Sequence, residues 1–143
     1  MKLRNLPTRV ATGAFILHSG LGKWKGGPEQ AAGVHGMAAN AFPPLQSVGA
    51  PTFLKGLSVS EVAIGAVLLA PFVSDRKAGV ALTAFSGGLM AMYARTPALR
   101  EPGSIWPSQQ GIGVAKDVWM LGIGLGLLLD PEGRKKEPAA PAA

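Results

Sequence analysis

The sequence predicts an all-α integral membrane protein, a four-helix bundle with a short amphipathic helix in its first outer loop. Three observations predict it. Residues 57–73, 78–94 and 111–129 are apolar, glycine-rich runs about long enough to cross a bilayer, and a fourth, less uniform run occupies 7–22. Charged residues make up 15% of the chain, well under the roughly 25% of soluble proteins. Twenty glycines sit largely inside the apolar runs. In water a mid-helix glycine costs about 1 kcal/mol against alanine, whereas between membrane helices it lets backbones meet.

Each element has its own signal. The run 7–22 leads into Lys23, Trp24 and Lys25. It lacks a leucine-rich centre, and Gly20-Leu21-Gly22 is a poor cleavage site, so no cleavable signal peptide is expected. In the following loop Pro28 starts a helix with Glu29 in its first turn. Ala31, Ala32, Val34, Met37, Ala38 and Phe42 follow at near-helical spacing, and Pro43-Pro44 ends it. That helix is expected to lie on the outer membrane surface. Ser74-Asp75-Arg76-Lys77 is a short basic turn between the second and third spans. Pro97, Pro102, Gly103 and Pro107 make 95–110 irregular, with Trp106 placed at the interface. The chain of 143 residues holds one domain, 1–130, and a tail over 131–143 with nothing to bury, expected to be disordered.

Basic residues sort by side. Eight lie with the termini (Lys2, Arg4, Arg9, Arg76, Lys77, Arg134, Lys135, Lys136) and five on the other side (Lys23, Lys25, Lys55, Arg95, Arg100). This excess predicts both termini in the cytoplasm. The net charge of +6 therefore reads as topology, not nucleic-acid binding, because the cations flank apolar spans instead of lining one exposed face. With no cysteine, the chain alone offers no thiolate nucleophile, disulfide exchange or Cys-based metal site.

On this topology the ionisable residues of the spans converge on the outer half of the bilayer: His18 and Lys23 on span 1, Glu61 on span 2, Tyr93 and Arg95 on span 3, Lys116 and Asp117 on span 4. The inner half is expected to be apolar. Charges in a bilayer are costly to keep, so these are the candidate site residues. Glu61 and Asp117 are the proton-exchanging pair; His18, Lys23, Tyr93, Arg95 and Lys116 are the ligand-binding set. Lys116 and Asp117 stand about 100° apart on a helix, and Asp117 is expected inward. Lys23 and Arg95 also read as interface anchors, Tyr93 as belt aromatic, His18 as a hydrogen-bonded interior histidine, and Glu61 as a cap or snorkelling group. His35 is expected at the surface. No metal site is expected, since the two histidines lie on separate segments. Gly111-Ile-Gly113 lacks the third glycine and the preceding strand of a dinucleotide fingerprint. Gly122-Ile-Gly124-Leu-Gly126 reads as helix packing.

Arg9, Gly13, Phe15, Gly20 and Lys23, then Glu61, Gly65 and Leu68-Leu69, then Met90 and Ala94, then Asp117 and Leu128-Leu129-Asp130 succeed one another in an order that resembles the DoxX family of small four-helix bacterial membrane proteins. The resemblance covers about residues 7–130. Asp117 stands where the family usually has glutamate, and Arg95-Thr96 replaces a histidine that often follows the third span. The resemblance implies a redox-associated subunit, linked to quinone chemistry and to membrane or redox partner proteins. A quinone is thus the candidate cofactor or ligand, the bilayer is the first partner, and a homo-oligomer is compatible. A non-catalytic assembly subunit is the competing reading. A transporter is disfavoured because no internal repeat or broken helix is evident.

Overall fold

The computed structural model describes residues 1–131, and the expected disordered tail lies outside them except for Pro131. Among the described residues the chain is helical, joined by turns and one isolated bridge. The helices are α1 (Leu6–Trp24), α2 (Pro28–Ala41), α3 (Ala50–Leu69), α4 (Asp75–Arg95), α5 (Ile112–Ala115) and α6 (Val118–Leu129).

Proline sets most of the boundaries. Pro7, Pro28 and Pro51 stand in the first turns of α1, α2 and α3, where a missing N–H costs nothing. Phe42, Ala70, Thr96 and Asp130 each precede a proline and end a helix, with ψ of 87°, 116°, 95° and 114°. The ring of the next residue excludes the helical conformation there. The second apolar run is therefore shifted from its expected bounds of 57–73: its helix begins at Ala50 and stops at Leu69, before Pro71. Ser74 caps α4, its hydroxyl accepting from the Lys77 amide at 3.3 Å.

The fourth run, expected as one helix over 111–129, is interrupted at Lys116-Asp117. There the Asp117 amide donates to Val114 and the Trp119 amide to Lys116, three residues back instead of four, so the helix tightens where its polar pair sits. Counted as one segment, Ile112–Leu129 is long and apolar enough to cross a membrane, as is α3. The expected spans in α1 and α4 have the length but not the hydropathy, because polar residues dilute them. Among the described residues two helices, not four, are long and apolar enough to cross a membrane.

Packing divides the helices into two tight pairs, α1 with α3 and α4 with α6, while α3 and α4 touch sparingly. Glycine sets both pairs. A Cβ on Gly65 would stand 2.8 Å from the Leu17 backbone nitrogen and 2.9 Å from the Gly13 oxygen, and one on Gly79 would run into the α6 backbone at Gly124 and Leu128. Between the pairs a small core of Ile16, Leu68, Ala78, Leu82 and Leu127 closes the end that carries the N-terminus. At the other end α2 lies across α3 and α4, burying Ala38 and Ala41 with Met92. The helix forms where the sequence predicts it. His35, expected at the surface, is half-buried: its Nε2 is 2.9 Å from the Leu45 oxygen and its ring packs edge-on against Phe53.

Candidate functional site

At the α2 end the seam between the two pairs opens into a cavity of about 210 Å³. Helical spacing explains its lining. Phe15, Ser19 and Lys23 recur every four residues on α1, as do Leu57 and Glu61 on α3. Phe85, Leu89 and Met92 follow on α4, and Val114, Asp117 and Met120 at every third residue on the fourth segment. Lys23 reaches across to Glu61, Nζ to Oε2 2.9 Å, and donates to the Ser19 hydroxyl at 2.7 Å. Glu61 is 6% exposed, so the ion pair is mostly shielded from solvent. Asp117 has no side-chain hydrogen bond or ion pair among the described residues, and its carboxylate lines the same space.

Three of the seven expected site residues, Lys23, Glu61 and Asp117, are thus brought together. The other four line no part of this cavity. His18 is exposed on α1, because five residues put it about 140° round the helix from Lys23. Lys116 is exposed, a step of about 100° from Asp117. Tyr93 is buried, but its hydroxyl donates to the Ile105 carbonyl at 2.8 Å and holds the 96–111 connection. Arg95 is exposed, its guanidinium 5.0 Å from the centre of the Phe42 ring. Ser19 was not among the candidates. Its signal was positional, one turn before Lys23 on the same face.

The expectation of an apolar inner half is overturned at the opposite end. Arg9 is fully buried and makes five hydrogen bonds. Nε donates to Leu68 O at 2.8 Å, Nη2 to Val67 O at 2.9 Å and Ala70 O at 3.0 Å, and Nη1 to Val73 O at 2.9 Å and Asp75 Oδ1 at 2.7 Å. Pro71 ends α3 with its last carbonyls unpaired, and a guanidinium with five donors satisfies them. This offsets the cost of burying the charge. The chain's first residues lie over the same end. The Lys2 amide donates to Asp75 Oδ2 at 3.0 Å, and Lys2, Arg4 and Asn5 converge on Asp130 after α6.

Both carboxylates are held in the charged form. Burial pushes the Asp75 carboxyl up, but hydrogen bonds from Arg9, the Lys2 amide and Asn5, with the Arg9 charge, bring it below its ordinary value. Arg4, then Asn5 and Lys2, hold Asp130 down at about 2, against an ordinary 3.8. A folded-state pKa below the unfolded one contributes stability that is present above 3.8 and lost as pH falls toward about 2. The melting temperature should accordingly drop across that window. Asp130→Asn should flatten part of the drop; an unchanged slope in the variant would show that Asp130 contributes nothing to it.

Comparison of the chain with protein-family models, with curated proteins and with solved structures returns no match.

Proposed function

We propose that this chain is a DoxX-like, four-span membrane protein with both termini cytoplasmic, and that its seam cavity receives the head of a quinone-like ligand. The resemblance rests on the residues named above. The membrane reading is supported by α3 and the Ile112–Leu129 segment, both long and apolar enough to cross a bilayer, and by the exposed apolar residues Val59, Val80, Trp119 and Leu129 on the helices. The observation that supports the ligand reading most is Lys23, Glu61 and Asp117 around one apolar-walled cavity. Convergent polar groups in an apolar space are the common form of a small-molecule site.

The chemistry follows from the groups. Reducing a quinone takes two electrons and two protons. A protonated Asp117, with no side-chain partner among the described residues, would give one proton to a ring oxygen, and the Lys23 ammonium beside Glu61 would give the second to the other oxygen, both groups being reprotonated from water. No side chain of this sequence stores electrons without a bound cofactor, so a redox partner protein or the quinone itself would carry them. The assembly reading is favoured by α6, where Gly122 and Gly126 face away from the fold with nothing against them; there the chain would pack against a larger complex.

A pair of melting curves separates the two. Wild type and Asp117→Asn are each heated in detergent with and without added quinone. The proposal expects a quinone-induced rise in wild type that the variant loses while melting cooperatively. No rise in wild type, together with stoichiometric co-purification of a larger complex, would leave the assembly reading standing.

A further inference from the structure

The cavity shares its apolar wall with a neighbour. Val34, Leu57, Phe85, Leu89 and Met92 line it, and the same five residues line a second chamber of about 260 Å³ beneath α2. Met37, Phe42, Leu45 and Phe53 complete that chamber, and no charged side chain lines it. Gly88, exposed and without a side chain, leaves its rim open. The two chambers thus meet at one apolar wall, with Lys23, Glu61 and Asp117 on one side of it and an uncharged lining under α2 on the other.

We propose that the two chambers join across that wall and hold one amphiphile, with a single apolar chain under α2 and an uncharged, hydrogen-bonding head between Lys23, Glu61 and Asp117. The inference rests on the ligand reading above and adds the class of ligand. Charge decides the head. Lys23 is already paired with Glu61 at 2.9 Å, so the head end sums to zero with Asp117 protonated and to minus one with it ionised. His18, Arg95 and Lys116 line neither chamber, so no further cation compensates an anionic head. A carboxylate or phosphate would meet net negative charge in a low dielectric. A neutral head with carbonyl acceptors fits: Lys23 has three N–H donors, and Ser19 and Glu61 use two. Lining and size decide the tail: the chamber under α2 is about 260 Å³ and no charged side chain lines it.

The test uses the full chain in detergent with three probes: a decyl-substituted benzoquinone, the same quinone with methyl in place of decyl, and decanoate. Gly88→Leu fills the apolar chamber from its open rim. An added Cβ there meets no atom within 4 Å, and leucine favours the helix over glycine. Partition of the probe into the micelle is common to both proteins and cancels. Decylquinone affinity should fall about tenfold or more in Gly88→Leu, while methylquinone affinity stays within about twofold. Decanoate should leave the wild-type melting curve unmoved.

If wild type binds both quinones and Gly88→Leu changes neither, the tail chamber is wrong while the head site stands. If decanoate binds as well as decylquinone, the uncharged head is wrong. If wild type binds neither quinone, the head site itself falls, and this inference with it. A measurement on wild type alone guards against a misfolded variant. A decylquinone carrying a diazirine at its chain terminus should cross-link to α2 or to Phe53; label confined to α1 or α6 would overturn the proposal.

Discussion

Arg9→Met is expected to lower the melting temperature further than any other substitution considered above. The variant keeps much of the apolar stem but leaves the Asp75 carboxylate without its cation, the carbonyls of Val67, Leu68 and Val73 without the guanidinium donor, and that of Ala70 with the Val73 amide alone. Removing one partner of a buried ion pair costs about 3–5 kcal/mol, a large share of the roughly 5–15 kcal/mol of a typical domain. Arg9→Lys should fall between, since one ammonium has three donors for five contacts. Adding Asp75→Asn to Arg9→Met should recover part of the loss, because the stranded charge is then gone. Thermal unfolding in detergent, followed by circular dichroism, checks the series. A variant that melts with wild type would mean that water or other side chains reach those carbonyls.

That Arg9 escaped the sequence reading has a physical reason. A basic residue near the start of an apolar run looks like a topology signal, and four of its five acceptors are backbone carbonyls, which have no sequence signature. Their availability depends on Pro71 ending α3 some sixty positions later. The helix ends were legible because prolines write them locally. The site was half legible. Ranking residues by charge and depth found Lys23, Glu61 and Asp117, but the same ranking admitted His18 and Lys116, which the helical step turns to other faces. Counting from Lys23 in fours would have picked Ser19 and Phe15 and passed over His18. The pairing of helices was not legible, because glycine marks a close approach without naming the partner.

Glu61→Ala is expected to have the second-largest effect. It leaves the Lys23 ammonium in the seam with only the Ser19 hydroxyl. An unsatisfied buried polar group costs about 1–3 kcal/mol. The figure stays below that for Arg9 because the Lys23 side chain keeps 18% of its exposure, and solvent relieves it in part. Glu29→Ala is the control: Glu29 is exposed on α2, and such a change stays within about 0.5 kcal/mol. Replacing Lys23 by methionine in the Glu61→Ala background should cost little more, as both charges are then gone. Equal, small shifts for Glu61→Ala and Glu29→Ala would show that the pair contributes nothing to stability.

The two glycine-locked pairs bear on how the chain assembles. Each is a helical hairpin, α1 folding back on α3 across the intervening α2 and the fourth segment on α4, so each can close as soon as its second helix is made. Docking one hairpin on the other comes later and meets a thinner contact, with a cavity left in it. A molecule bound in that cavity touches both hairpins at once, and its binding free energy is then also free energy of docking. If the proposed ligand binds there, its supply would govern how much newly made chain reaches its final form, and a shortage would leave two finished hairpins that have not joined.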